Sequence, residues 1–431
     1  MTMALAHEPP ATDLDGGVHA IPVDVQRIEA ELHFDVASPH ARGRARVWFT
    51  ASSSGHPVLD LRQQPGDVSL DGRPLGAEAL PHRNLGGGPD ARMRVLAVPV
   101  APGPHLLEVD YPIDTPDCEG ARPIGWIPEG VHFDLWMSDL HPGRYLEMWI
   151  PANLCHDRFE LQLSVSITGT DRPHSVVANG RVRTLDEGLS FLISYPATYT
   201  ALSPMLVIAP ADELASQRSR VALRGRVEPL RVVVARHTSV DADLDAVEAD
   251  IASWLVQLAE RYGPWVHGDT FRAVVWEPGR GMEYDGATTA ALGAMEHEVF
   301  HSWFGRGVKP ATSRDGWIDE AFTSWATASR RREGPRFSEE PLSLSSAPVV
   351  LYPEHPWSRF TPVASYSAGA AFFGGLAALL GDAGRLRSAM GAWYRAYAGE
   401  LVTTGGLATF LASWAGVDVA PWFDRFVYGR E

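Results

Sequence analysis

The sequence predicts an α+β protein of two parts, an N-terminal antiparallel β-domain followed by a mostly helical domain. Three observations carry this. The chain has 431 residues, 45% of them hydrophobic, and this exceeds what one ordinary core organises. The first half consists of short alternating segments punctuated by Gly, Pro, Asp and Asn, with no long helical pattern between them. Beyond about residue 225 the apolar period lengthens to that of a helix. The expected layout is a flexible tail over 1–14, a β-sandwich or open saddle over 15–225, and a second domain over 226–431.

In order, RIEAELHFDV, ARGRARVWFT, HLLEVDY, RFELQLSVSI, HSVVANG and GLSFLISY each fall in the length range of strands. The glycine-rich turn at residues 86–89 lacks a following Gly-Lys-Ser/Thr, so it does not read as a phosphate loop. LRVVVAR then reads as a strand. After it, Leu244, Val247, Ile251, Leu255, Leu258 and Tyr262 recur at helical spacing, with Ser239 or Asp241 available to cap the start. FRAVVW reads as another strand. From Ala290 onward nearly everything reads as helix, interrupted by a Pro-rich stretch over 341–362.

Composition narrows the function. A formal charge of −16 disfavours nucleic acid and anionic membrane surfaces as partners. Lys309 is the sole lysine, so arginine carries nearly all the positive charge. Cys118 and Cys155 form no C-x-x-C pair and read as free thiols. The N-terminal stretch has no basic n-region and no apolar h-region, and no run is long and apolar enough for a membrane helix. A cytoplasmic protein is the expectation.

The chemistry lies in ALGAMEHEVFHSWFGRGVKPATSRDGWIDEAFTSWA. On a helix, His297 and His301 stand one turn apart on the same face, so both imidazoles can reach one metal ion. Glu298, beside the first histidine, can face a bound water as general base. A catalytic zinc needs a third protein ligand and an open position, and Glu320, early in a second helix, supplies that ligand. Asp315 is placed to cap this second helix. Two neutral histidines and one carboxylate leave the ion positive enough to lower the pKa of its water to about 7.

These residues resemble the gluzincin aminopeptidases of the aminopeptidase N type, relatives of leukotriene hydrolase. GRGMEYDG, residues 279–286, is similar to that family's Gly-x-Met-Glu-Asn motif, with Tyr284 in place of asparagine. The resemblance implies that Glu283 binds the substrate's free α-amino group, with Gly281 and Met282 of the same motif as further substrate-binding residues. Only peptides with an unblocked N-terminus would then be cut. SYSAGAAFFGG is similar to the segment that opens a helix with the family's Tyr-x-Lys-Gly. It implies that Tyr366 donates to the developing oxyanion, and Ala368 replaces the lysine. Residues 144–165, RYLEMWIPANLCHDRFELQLSV, resemble the cleft-lining strand of the family's β-domain, with Glu147 as a second contact to the amine.

The resemblance implies a thermolysin-like zinc metallopeptidase domain behind the β-domain, one Zn2+ ion, and an aminopeptidase that hydrolyses N-terminal peptide bonds. It also implies a short form without the family's large helical C-terminal domain. The expected partner is a peptide or small molecule with a free amine. The trimmed architecture leaves room for a pathway-specific zinc hydrolase or cyclase on the same site. A binding protein that retains the fold without turnover is the third reading.

Overall fold

The computed structural model describes residues 9–88, 92–114, 124–138, 140, 143–153, 156–277, 279–328 and 342–431. Cys118 and Cys155 lie outside these. The chain divides into two compact units. One is Met1–Ala215 with His355–Arg359, and the other is Ser216–Glu354 with Phe360–Glu431. The division falls near 215 because the strand Leu214–Val221 joins the sheet of the second unit.

The N-terminal unit is built on an eight-stranded sheet. Its order is Arg181–Leu185, Ser190–Tyr195, Glu160–Thr168, Asp24–Asp35, His40–Ala51, Gly103–Ile113, Val68–Leu70 and Arg73–Pro74. Alternation decides which face is buried. Ile28, Ala30, Leu32 and Phe34 point inward while the polar residues between them face out. The alternation slips at Gln26, where a bulge separates Val25 from Arg27. The sheet is not wholly antiparallel as expected. Glu160–Thr168 runs parallel to Asp24–Asp35, pairing Glu160 with Arg27. Side-chain alternation is the same in both senses, so the pattern carried no signal of direction. A five-stranded and a four-stranded sheet complete the unit. The five-stranded one begins with Thr12–Leu14, paired antiparallel with Val18–Ile21, inside the stretch expected to be a tail.

The C-terminal unit contains a five-stranded mixed sheet, so its helices are not alone. The order is Leu214–Val221, Leu230–His237, Thr270–Trp276, Ala287–Ala291 and, at the edge, Gly281–Tyr284. Helix α1, Leu244–Arg261, packs on Leu230–His237. Its N-cap is Asp243, whose carboxylate accepts from the amides of Asp245 and Ala246. That is two residues beyond the nearer expected cap. Helix α2, Met295–Phe300, packs on Ala287–Ala291. Then come α3, Trp317–Ala328, α4, Ala370–Leu380, α5, Ala383–Tyr397, α6, Thr404–Ala415, and α7, Ala420–Phe426.

Aromatic side chains dominate the core of this unit. Tyr262, Phe300, Phe304, Phe322 and Trp393 stack or meet edge-on with ring centroids 4.6–6.4 Å apart. Their packing fixes α2 and α3 against each other. Gly369 is required where the chain enters α4, because a Cβ there would lie 2.5 Å from the Ala321 side chain on α3. The close approach brings the turn before α4 onto the helix that carries Glu320.

Candidate metal centre

Helix α2 spans only six residues, and His301 is its C-cap in helical conformation, its amide donating to the His297 carbonyl at 3.3 Å. The two histidines therefore keep helical spacing across the helix end. Their ring centroids lie 4.6 Å apart. Met295, Val299 and Phe300 bury the opposite face, which anchors the helix and turns both imidazoles toward α3.

Glu320 occupies the first turn of α3. Its Oε2 lies 3.1 Å from His297 Nε2 and 3.5 Å from His301 Nε2. Donors at zinc distances in a tetrahedron stand about 3.3 Å apart, so the three atoms match that edge length. Among the described residues, His301 Nε2 and Glu298 Oε2 are buried and have no hydrogen-bond partner. Orphaned buried polar atoms call for an account. A cation facing His297, His301 and Glu320 supplies one for the imidazole nitrogen, and this donor set is a zinc set.

His301 is oriented from behind. Its Nδ1 faces the Asp319 Oδ1 carboxylate, the Phe304 carbonyl at 3.2 Å and Thr323 Oγ1 at 3.3 Å. A proton on Nδ1 leaves Nε2 as the free lone pair aimed at Glu320. Gly305 makes room for this. Its φ is +109°, and a Cβ there would lie 2.0 Å from Asp319 Oδ2. Asp315 does not cap α3. Its carboxylate accepts from the Thr404 amide and hydroxyl at 2.7 and 2.8 Å and from Thr312 at 2.7 Å, so it ties the start of α6 instead.

Burial and crowded carboxylates set the protonation of these groups in the absence of an ion. Burial pushes Glu298 well above the usual carboxylate range, and Glu283, Glu320 and Asp319 push it further. Burial works against charge on His301, but Asp319, Glu283 and Glu320 outweigh it and hold the ring well above its ordinary value. Burial raises Asp319 to about 7 although the His301 charge opposes this. Burial would also raise Glu320, yet the two histidines hold it below its ordinary value. For His297 the largest effect is burial, which lowers it.

The remaining candidates fall in two groups. Around the triad, the Glu298 carboxylate lies over Gly281, where a Cβ would sit 2.4 Å from Oε1. Met282 is buried, with its carbonyl accepting from Thr288 Oγ1 at 2.9 Å. The Tyr366 ring, in the wide π-helical turn Ser365–Gly369, stacks on His297 with centroids 6.2 Å apart and planes 18° from parallel. Glu283 has a donor atom within 4.8 Å of those of Glu298 and His301. Its Oε1 accepts from Arg306 Nη2 at 2.5 Å. Glu147 belongs to the N-terminal unit. It is fully buried, and its Oε1 accepts from Arg359 Nη2.

Sequence reasoning passed over Asp319, Thr323 and Arg306. Asp319 was findable, since residues 319 and 320 of a helix project about 100° apart and can grip one imidazole from two sides. Arg306 follows the helix in a turn and carried no periodic signal.

No family model matches the chain, and no curated protein matches it by sequence. Solved structures do share its fold. An M1 zinc metallopeptidase from Deinococcus radiodurans superposes with a TM-score of 0.66 at 19% identity, over 96% of this chain and 95% of that one. A mutant of that enzyme with Tyr-Ser-Ala substrate bound gives 0.65 at 18% identity, over 95% of each chain. Legionella pneumophila aminopeptidase A in complex with aspartic acid gives 0.68 at 11%, over 94% of this chain and 49% of that one. Yeast LTA4 hydrolase gives 0.61 at 14%, over 93% and 67%. The chain thus has the mixed α/β fold of the M1 zinc metallopeptidases.

Proposed function

We propose that this chain is a zinc metallopeptidase that removes the N-terminal residue from peptides. The observation that carries the reading is the triad of His297, His301 and Glu320, with donor separations of 3.1 and 3.5 Å and Glu298 beside it. The metallopeptidase fold and the peptide held by one neighbour support it.

His297, His301 and Glu320 would hold the ion, which when bound supplies a Lewis acid for the scissile carbonyl and a water with a pKa near about 7. Glu298 takes the proton of the attacking water and returns it to the leaving amine nitrogen. Its burial and unsatisfied Oε2 suit a carboxylate that alternates between the two forms. The Tyr366 hydroxyl donates to the carbonyl oxygen as charge develops there. Its ring stacks on the His297 imidazole, one of the three ligands. Glu283 accepts from the substrate's α-amine, so the first peptide bond is the one presented. Glu147 is already engaged by Arg359, so the reading rests on Glu283 for the amine.

The test is zinc content measured together with hydrolysis of an aminoacyl arylamide panel. One zinc per chain with release of N-terminal residues is the expected result. A fully zinc-loaded protein inactive across the panel would turn the reading toward a hydrolase or cyclase with one dedicated substrate.

A further inference from the structure

The resemblance leads one to expect at Glu283 a carboxylate waiting for a cation, and the structure has one already supplied. Glu283 and Arg306 are 4% and 3% exposed, and they meet at 2.5 Å through Oε1 and Nη2. Arg306 also donates through Nε to the Glu283 carbonyl at 3.4 Å and through Nη1 to the Gly305 carbonyl at 3.3 Å. A second ion pair repeats the arrangement. Lys309, three residues after Arg306, reaches Asp285, two residues after Glu283, at 2.6 Å. The turn that follows the HExxH helix is thus fastened twice to the edge strand and its hairpin. Among the described residues, Oε2 of Glu283 takes no hydrogen bond.

We infer that Arg306 determines which N-termini the site accepts: it neutralises Glu283, so the chain acts on acyl substrates with or without an α-amine and prefers the amine only modestly. This rests on the peptidase reading above. A site built around one buried polar group rejects an analogue lacking its partner by about 10⁴–10⁵, because the group is then left unpaired. Arg306 removes that penalty, since Glu283 stays paired whether or not an amine arrives. The amine gains a hydrogen bond to Oε2, but the nearby guanidinium opposes its charge. Selection of free N-termini then comes from one contact between a cation and a neutral pair.

The probe is a matched pair differing only in the amine: alanine p-nitroanilide and propionyl p-nitroanilide. With zinc-loaded protein, the ratio of kcat/KM values should stay below about 10², against the 10⁴–10⁵ of a site with an unpaired group. Arg306→Gln should raise that ratio at least about tenfold, because Glu283 is then unpaired whenever the amine is missing. Glu283→Gln should bring it to about 1 or below, since an amide holds no charge for the amine to meet while the Arg306 guanidinium still opposes it. A wild-type ratio above about 10², or a ratio unmoved by Arg306→Gln, would overturn the inference. The wild-type ratio decides even if Arg306→Gln does not fold. Calorimetric affinities of zinc-loaded protein for alaninamide and propionamide give the same comparison without turnover. Zinc-loaded protein that cleaves neither anilide refutes the peptidase reading itself, whereas cleavage with a ratio above about 10² refutes only the role of Arg306.

Discussion

Each unit of the molecule buries a glutamate against an arginine, and the two pairs have different surroundings. In the N-terminal unit Arg359 spans Glu147 and Asp60, meeting Asp60 at 2.8 Å, and Asp60 also takes Arg62 at 2.8 Å. Arg94 packs nearby with its guanidinium on the carbonyls of Leu61, Leu80 and Gln63. Burial would raise the Asp60 pKa, but His82, Arg62 and Arg359 hold it well below the usual range. Charges close on each other there, and the described residues of the network form no three-ligand cluster with one another. In the C-terminal unit the pair of Glu283 and Arg306 stands within reach of Glu298 and His301. A buried ion pair therefore does not mark a site. Nor does an orphaned buried atom alone, since Glu147 Oε2 and His82 Nε2 are as unsatisfied as His301 Nε2 and Glu298 Oε2. What distinguishes the second network among the described residues is that the ligand atoms of His297, His301 and Glu320 converge beside the pair.

The comparison breaks first at Glu298. Glu298→Gln keeps the shape of the site and removes the proton acceptor, so zinc content should hold while kcat falls by about 10²–10⁴. Turnover that survives would remove Glu298 from the proton path. Glu320→Ala takes away one of three ligands, and its zinc affinity should fall by more than the roughly hundredfold limit expected for an outer contact. Unchanged affinity in a chelator competition would dismiss Glu320 as a ligand.

The N-terminal pair should respond in stability and leave the metal untouched. Arg359→Met strands the Glu147 carboxylate in the core, while Asp60 keeps Arg62. Breaking a buried pair from one side costs about 3–5 kcal/mol, which a denaturant titration reads directly. Glu147→Gln sharpens the contrast with Glu283→Gln. The first should lower the unfolding midpoint and leave KM for an unblocked substrate unchanged. The second should change the preference for the amine. A raised KM in Glu147→Gln would instead make Glu147 a second contact to the amine, as the family resemblance implies.

Local periodicity made some of this readable before any fold was known. The helical face of α1, the strands Leu230–His237 and Thr270–Trp276, and the two histidines one turn apart are all patterns within a short window. The cap of α1 is Asp243 and neither Ser239 nor Asp241, because all three suit the position and the choice depends on where the preceding strand releases the chain. Long-range pairings left no such trace. The parallel pairing of Glu160–Thr168 with Asp24–Asp35 joins segments more than a hundred residues apart. Arg306 meets Glu283 through the turn after α2, and that meeting depends on how the edge strand is hydrogen-bonded. The two histidine ligands were legible because one helix sets their spacing. Their supporting partners come from other elements.

Asp319 tests the smallest of these effects, the grip on His301 from behind. Its carboxylate faces Nδ1, with Gly305 giving way to admit it. Asp319→Asn keeps an oxygen that can accept from Nδ1–H but removes the negative charge. Asp319→Ala removes both. If the carboxylate raises the basicity of Nε2 as well as fixing the ring, the asparagine variant should already lose part of the zinc affinity, and the alanine variant more. Loss of an outer partner of this type costs about 10–100-fold in metal affinity. Chelator competition measures it, and thermal unfolding of the metal-free variants separates a weakened site from a weakened fold. Equal affinity in the wild type and both variants would mean that the Phe304 carbonyl and Thr323 hydroxyl suffice to hold the ring, at 3.2 and 3.3 Å. Affinity kept in Asp319→Asn and lost in Asp319→Ala would assign the effect to orientation, with the charge contributing nothing.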